Sequence, residues 1–306
     1  MGHGSYTSRD WASLQSSRNI KADSKVSDLY QSRGMKAIYD PSRIKMRESR
    51  DSKDNPLSTA IIVGLDVTGS MGYLSEEIAK NSLNKTMLEI YDKQPVTNPH
   101  IMFQAIGDSK SDRAPLQATQ FEADIRIAEQ LLDVFFESGG GGNGGESYCL
   151  SWYFADTRTD IDCYNKRAKK GYVFTIGDEC CHETLTRDEI KRVFGDDVER
   201  DYSAKELYQS AAKKYNIFHI VMKAGSYKNQ NSGQAWAKLI PGHVIELEPV
   251  QLKYLAELFV SVMQLQEGGN KKDIVEQWKD SETRLVIAEA LGGLVIGDQK
   301  KGFFKF

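Results

Sequence analysis

Short apolar runs alternate with longer amphipathic stretches from residue 58 onward. Runs without polar alternation are typical of strands covered on both faces of a sheet, and the longer stretches have the spacing of helices with one apolar side. Strands are predicted at 59–66, 100–107, 171–177, 216–222 and 243–247, with a short edge strand at 117–121. Helices are predicted at 74–93, 123–137, 146–157, 186–194, 202–214, 231–239 and 250–265. This alternation indicates an α/β fold with a doubly wound, mainly parallel sheet flanked by helices.

The two ends of the chain depart from this central pattern. Residues 1–57 form a polar arm with scattered apolar residues, in which one short helix is expected near 22–33. Residues 267–306 form a tail with a linker, an amphipathic helix near 271–291 and a terminal aromatic cluster. We therefore predict one domain over 58–266, with an arm before it and a tail after it. Each of them could bind a partner or pack on its own domain, and the sequence leaves both open.

Charge and composition exclude several classes of protein. Residues 1–56 hold 11 Lys and Arg against 7 Asp and Glu, whereas the remainder holds 29 against 36. The net charge of −3 gives no global field that favours nucleic acid. The chain lacks both an apolar run long enough to span a membrane and the apolar core of a signal peptide. Its four cysteines have no disulfide-framework spacing, which fits reduced thiols. We expect a cytoplasmic protein that binds neither nucleic acid nor a membrane.

Three side-chain oxygens follow the first predicted strand at period-two spacing, on Asp66, Thr68 and Ser70. The carboxyl ends of parallel strands lie at one edge of a sheet, where α/β proteins place their ligands, so these oxygens can face one point. One carboxylate and two hydroxyls suit Mg²⁺ or another hard divalent ion. The alternative is an ordinary strand end that caps the next helix, since Asp, Thr and Ser are common caps.

The segment 66–70 resembles the first motif, Asp-x-Ser-x-Ser, of the metal-ion-dependent adhesion site in von Willebrand factor A domains. Thr68 stands where that motif has Ser and keeps the hydroxyl oxygen. The resemblance covers about 58–265, and the local sequences look most like bacterial or phage members of the family. It implies the same doubly wound fold, with two further loops that complete a metal site.

The resemblance also points to the two further loops. The glycine-rich loop 138–147 would supply Asn143, with Glu146 or Ser147 as alternatives, although the family usually offers Thr there. The strand 171–177 would supply Asp178 directly after it, although the family's order at this strand end is Thr-Asp-Gly. The implied metal ligands are Asp66, Thr68, Ser70, Asn143 and Asp178.

A site of this kind implies binding rather than catalysis. The ion would be Mg²⁺ first, with Mn²⁺ or Ca²⁺ also compatible, and it would take the carboxylate of an Asp or Glu from a protein partner. These residues include no nucleophile–base pair, so we expect a non-enzymatic adaptor or scaffold within a larger assembly. Cytoplasmic members of the family often act beside AAA-type ATPases, which makes such an ATPase the first partner to test.

A metal-dependent hydrolase, phosphatase-like or esterase-like, is the second functional hypothesis. Haloacid-dehalogenase-like phosphatases also begin with a strand that ends in Asp, but their second Asp is replaced here by Thr68. The stretch 106–109, Ile-Gly-Asp-Ser, resembles the Gly-Asp-Ser block of small esterases, but it follows the second strand instead of the first. A zinc site at 180–182 with Cys163 lacks the usual Cys-x-x-Cys spacing.

Overall fold

The computed structural model describes residues 5–136, 144–225 and 227–295, without the side chains of Ser70 and Ala79. Its strands are β1 (Arg47–Ser49), β2 (Thr59–Asp66), β3 (Pro99–Ile106), β4 (Leu116–Ala118), β5 (Thr159–Ile161), β6 (Gly171–Gly177), β7 (Thr184–Leu185), β8 (Tyr202–Ser203), β9 (Tyr215–Met222) and β10 (Val244–Leu247). Its helices are α1 (Ser8–Ser17), α2 (Val26–Leu29), α3 (Gly72–Glu77), α4 (Leu83–Lys93), α5 (Arg126–Leu131), α6 (Cys149–Thr157), α7 (Asp162–Arg167), α8 (Arg187–Phe194), α9 (Ala204–Ala211), α10 (Tyr227–Gln230), α11 (Ser232–Leu239), α12 (Leu255–Gln266), α13 (Lys271–Glu276) and α14 (Ser281–Gly292).

Six strands form one central sheet in the order β10-β9-β6-β2-β3-β4. Every neighbouring pair is parallel except β3 and β4, which are antiparallel. The predicted doubly wound, mainly parallel α/β fold is confirmed. The edge strand expected at 117–121 is present as β4, shifted toward the N-terminus.

Both faces of this sheet are covered, as its apolar strands require. All eight residues of β2 are buried. Ile61 and Val63 contribute to the core under α4 and α12, whereas Ala60 and Ile62 contribute to the core under α6, α9 and α11. Successive side chains of a strand point to opposite faces, so a strand buried on both faces has an unbroken apolar sequence.

The winding of the chain reverses between β2 and β6. From β2 the chain continues to β3 and β4 on one side, and it later returns to β6, β9 and β10 on the other. The crevice outside the carboxyl ends of β2 and β6 is therefore the switch point of the sheet, which is where open α/β sheets bind ligands. Asp66 ends β2, and Asp178 directly follows β6.

The arm differs from its prediction. A helix was expected near 22–33, and only the single turn α2 forms there, whereas the longer helix α1 lies earlier in the chain. Thr7 caps α1 by accepting a hydrogen bond from the backbone N–H of Asp10. The helix buries only Trp11 and Leu14, too few apolar positions for a periodic signal.

Several other predicted elements change length or divide. The helix expected at 74–93 runs as α3, a π-helical turn at Ile78–Ser82, and α4. Of the helix expected at 123–137, the described residues 123–136 are helical only over α5. The tail helix expected at 271–291 divides into α13 and α14, because the Asp280 carboxylate accepts the N–H of Thr283 and caps a new helix. Two small sheets, β1 with β5 and β7 with β8, had no counterpart among the predictions.

Trp278 connects the tail to the domain. The indole N–H of Trp278 donates to Ser261 of α12 at 3.0 Å, so this part of the tail packs on the domain. The aromatic residues at 303–306 lie outside the described ranges. None of the helices described here combines the length and the apolar character that crossing a membrane requires.

The arm is predicted to contribute strongly to stability. Trp11 is 5% exposed and belongs to the same apolar core as α4 and α12. We expect Trp11→Ala to lower the free energy of unfolding by about 3 kcal/mol, because the truncation leaves a cavity in that core. Leu285→Ala is the control, since Leu285 is 72% exposed. Urea denaturation would measure both, and equal effects of the two substitutions would contradict the packed arm.

Candidate metal centre

The loop after β2 is shaped by the carboxylate that ends the strand. Asp66 is fully buried, and its Oδ1 accepts the backbone N–H of Thr68 at 2.9 Å and the Thr68 hydroxyl at 2.5 Å. An Asp that bonds the backbone two residues later closes an Asx-type turn. This turn holds the carboxylate and the hydroxyl side by side at the carboxyl edge of the sheet.

Tyr148 holds the other oxygen of the same carboxylate. Its hydroxyl donates to Asp66 Oδ2 at 2.8 Å. The ring reaches this place by passing against Gly177, where an added Cβ would lie 1.8 Å from the tyrosine hydroxyl. Sequence reasoning missed Tyr148, and the signal that could have found it is the glycine that ends the apolar strand β6. Any residue larger than glycine at position 177 would occupy the space of the Tyr148 ring.

Asp178 is fully buried and lies close enough to raise the pKa of Asp66. Helix α11 fixes the loop that carries it. The Ser232 hydroxyl donates to the backbone carbonyl of Asp178 at 2.8 Å, and the indole N–H of Trp236 donates to the carbonyl of Glu179 at 2.9 Å. The loop after β6 therefore has a defined path, and it brings its carboxylate to the edge where Asp66 lies.

Glu146 comes to the same region from the second loop. Its backbone N–H donates to the carbonyl of Cys180 at 2.9 Å, and its own carbonyl accepts the N–H of His182 at 3.1 Å. The side chain is fully buried, and neither carboxylate oxygen has a hydrogen-bond partner within the described part of the chain. Burial, and then the negative charges of Asp66 and Asp108, raise the pKa of Glu146 to about 10.

The remaining predicted ligands are Ser147, Asn143 and Ser70. The Ser147 hydroxyl lies 2.8 Å from that of Ser109 and donates to Asp108 at 3.2 Å, so its bonds are made on the β3 side of the edge and not with Asp66. Asn143 and the side chain of Ser70 lie outside what the structure describes. Their predicted roles as ligands stay predictions.

A second polar cluster surrounds Asp108, which follows β3. Asp108 Oδ1 is 2.9 Å from His182 Nε2, and His182 Nδ1 is 3.2 Å from Lys110 Nζ. The Ser109 hydroxyl donates to a carboxylate oxygen of Glu189 at 2.8 Å. Both ring nitrogens of His182 thus face other groups, so the imidazole does not contact Ser109 as the base of a serine hydrolase must. Sequence reasoning named Ser109 and His182 without finding this arrangement.

The electrostatics of the edge favour a bound cation. Burial and the negative charge of Asp178 raise the pKa of Asp66 to about 7, against the hydrogen bonds from Thr68 and Tyr148, which lower it. Buried carboxylates of like charge are costly unless a proton or a cation neutralises them. The orphaned oxygens of Glu146 add to that cost.

The oxygen donors at this edge fit a hard cation, but the described His, Cys, Asp and Glu side chains alone are too few to hold it. Carboxylates of Asp66 and Asp178 and the hydroxyl of Thr68 are all oxygen donors, which Mg²⁺ prefers. Over the ranges the structure describes, no three His, Cys, Asp or Glu side chains form a group that could hold a metal by themselves. A cation at this edge would complete its shell with hydroxyl oxygens and water, as Mg²⁺ commonly does.

No protein-family model matches the chain, and no match to a curated protein was found either. Among solved structures it is similar to the pilus adhesin SpaC from Lactobacillus rhamnosus GG in its open conformation, with 8% identity and a TM-score of 0.45 over 71% of this chain and 31% of that chain. It is also similar to the vWF domain of the type V pili tip protein Mfa5 from Porphyromonas gingivalis, with 8% identity and a TM-score of 0.44 over 68% and 96%.

A third solved structure, the conserved hypothetical protein BatB from Bacteroides thetaiotaomicron, is 13% identical, with a TM-score of 0.37 over 67% of this chain and 98% of that chain. The chain thus spans less than a third of SpaC and nearly all of the Mfa5 and BatB chains. The structural neighbours include a von Willebrand factor domain. At these identities and TM-scores the likeness says nothing about ligand or partner.

Proposed function

We propose that this chain is a von Willebrand factor A-type module that binds a protein partner through a divalent cation at the switch point of its sheet. One observation carries the proposal. Three loops bring buried carboxylates to this edge, and the carboxylate of Glu146 has no hydrogen-bond partner in the described residues. A bound cation would neutralise these charges and give the Glu146 oxygens a partner.

The chain's own residues would hold and orient the ion. Asp66 and Asp178 would supply charge, Thr68 a hydroxyl, and Glu146 or Asn143 the oxygen from the second loop. A bound Mg²⁺ would offer a coordination position to a carboxylate of the partner. Tyr148 would keep the Asp66 carboxylate in place from the protein side, since its hydroxyl already donates to Oδ2.

The proposed role is that of a non-enzymatic adaptor or scaffold in the cytoplasm. The geometry around Ser109 supports a binding role, because neither ring nitrogen of His182 is directed at that hydroxyl. An AAA-type ATPase is the first partner to test, on the strength of the resemblance alone. Mg²⁺ is the first ion to test, with Mn²⁺ and Ca²⁺ beside it.

The test is a pull-down from the native host in Mg²⁺ or in EDTA, with wild type and Asp66→Ala. We expect one partner that wild type retains only in Mg²⁺ and that Asp66→Ala does not retain. Asp188→Asn is the control. This substitution also removes one negative charge, and it does so at a side chain that is 91% exposed and far from the packed core. A partner that all variants retain equally in EDTA would contradict metal-dependent docking.

A further inference from the structure

An open cleft of about 1320 Å³ lies beside the candidate metal centre. Its lining includes Cys180 and Cys181, which continue the loop after Asp178, and Gly144, which leads into Glu146. Helix α11, which fixes the Asp178 loop through Ser232, also lines the cleft. The cleft therefore begins where the second and third loops of the centre end.

Four cationic side chains line this cleft, on Lys110, Arg192, Lys205 and Lys238. All four residues are exposed, and none of them makes an ion pair with a carboxylate within the ranges described. Most exposed Lys and Arg side chains cost little to leave unpaired. The convergence of four on one cleft is notable, because residues 57–306 carry an excess of acidic residues, 36 against 29 basic ones.

The two carboxylates in the lining, Glu183 and Glu189, offset only part of this charge. Glu189 is engaged by the protein itself, since it accepts the Ser109 hydroxyl at 2.8 Å and the backbone N–H of Thr186 at 2.8 Å. Glu183 is the other acidic residue of the lining. The cleft thus presents more positive than negative charge to a ligand, next to an edge that we propose to hold a cation.

We propose that the cleft binds an extended, Asp- and Glu-rich segment of the partner whose carboxylate reaches the metal. This inference rests on the proposed metal-dependent docking and adds the chemistry of the partner. One carboxylate of the segment would go to the ion, and its neighbours would pair with Lys205, Lys238 and Arg192. Complementary charge of this kind gives specificity and speeds association.

A peptide fits the cleft better than a nucleic acid does. Binding of single-stranded nucleic acid relies on exposed aromatic rings on which bases stack. The aromatic ring of the lining belongs to Trp236, which is 1% exposed and stacked on His219 with ring centroids 3.5 Å apart. Its indole N–H is already bonded to the carbonyl of Glu179. The cleft offers cations without a stacking surface.

The test uses a short fluorescein-labelled peptide of alternating Asp and Gly residues, followed by fluorescence anisotropy in Mg²⁺. The cleft variant combines Lys205→Glu and Lys238→Glu. The control combines Lys45→Glu and Lys279→Glu, which changes the net charge equally at exposed positions outside the cleft. We expect the cleft variant to weaken binding about tenfold at low salt and the control to change it little. Circular dichroism would verify that both variants fold.

The arms of this experiment separate the two proposals. Binding that EDTA abolishes and the cleft variant leaves unchanged would overturn the cleft and keep the metal docking. Binding that the cleft variant weakens and EDTA leaves unchanged would keep the cleft and overturn the docking on metal. A single-stranded RNA oligonucleotide that displaces the peptide at a lower concentration than unlabelled peptide would overturn the assignment of an acidic peptide.

Discussion

Gly177→Ala is expected to lower the free energy of unfolding by about 3 kcal/mol or more. An added Cβ would lie 1.8 Å from the hydroxyl oxygen of Tyr148 and 2.6 Å from its ring carbon Cζ. Gly177 ends β6, which lies between β2 and β9, and its pairing with Val221 of β9 limits how far the backbone can shift. Overpacking costs about 1–3 kcal/mol. Displacing the tyrosine also breaks its hydrogen bond to the Asp66 carboxylate, which adds about 1.5–3 kcal/mol.

Chemical denaturation would measure this change against Gly34→Ala, for which no atom lies within 4 Å of the added Cβ. Combining Gly177→Ala with Tyr148→Phe removes the nearest clashing atom, so the double variant should lose less than the sum of the two single losses. Additive losses would show that the two residues do not share a contact. A Gly177→Ala protein as stable as wild type would contradict the position of Tyr148.

Mg²⁺ is expected to stabilise the wild-type protein and to leave Asp66→Asn unchanged. A ligand that binds only the folded state at about 100 times its Kd stabilises by about 2.7 kcal/mol. In a chain of this size that gain should raise Tm by about 4 °C. Asn keeps an oxygen that can accept from Thr68 but removes the charge that would hold the ion, so its Tm should not respond to Mg²⁺.

Differential scanning calorimetry in Mg²⁺ and in EDTA would measure both proteins, with the exposed Asp188→Asn as a matched loss of charge. In EDTA we expect Asp66→Asn to stay within about 1 kcal/mol of wild type, because the substitution relieves the like charges of Asp66 and Asp178. An equal response of wild type and Asp66→Asn to Mg²⁺ would place the ion elsewhere. No response in either protein would remove the metal from the proposed function.

The strands of the central sheet could be predicted closely from the sequence. β2 and β6 are apolar runs buried on both faces, and the structure places them over the predicted residues. Such runs are short and bounded by polar turns, so their signal is local. The ends of the helices were predicted less accurately than those of the strands. The interruption of the helix expected at 74–93 and the division of the tail helix at Asp280 depend on single turns that periodicity does not resolve.

The contacts of the candidate site also differ in how far the sequence indicated them. Asp66 and Thr68 form one turn because they are two residues apart, so their proximity was a local property of the sequence. Asp178 reaches the same edge because its strand is the parallel neighbour of β2, which the alternation of strands and helices indicated only in outline. The contact of Tyr148 with Asp66 joins residues 82 positions apart, and no sequence pattern marks it.

The sequence by itself determined the class of fold and the first motif, because apolar periodicity and a short turn depend on neighbouring residues. Only the tertiary structure decided which distant groups meet. In the folded chain the Ser147 hydroxyl donates to Asp108, and the carboxylate of Glu146 has no hydrogen-bond partner among the described residues. Four cationic side chains line the same cleft. These outcomes follow from strand order and from the packing of α6 and α11 on the sheet. Burial then sets the energy of each charge, and burial is a property of the whole fold.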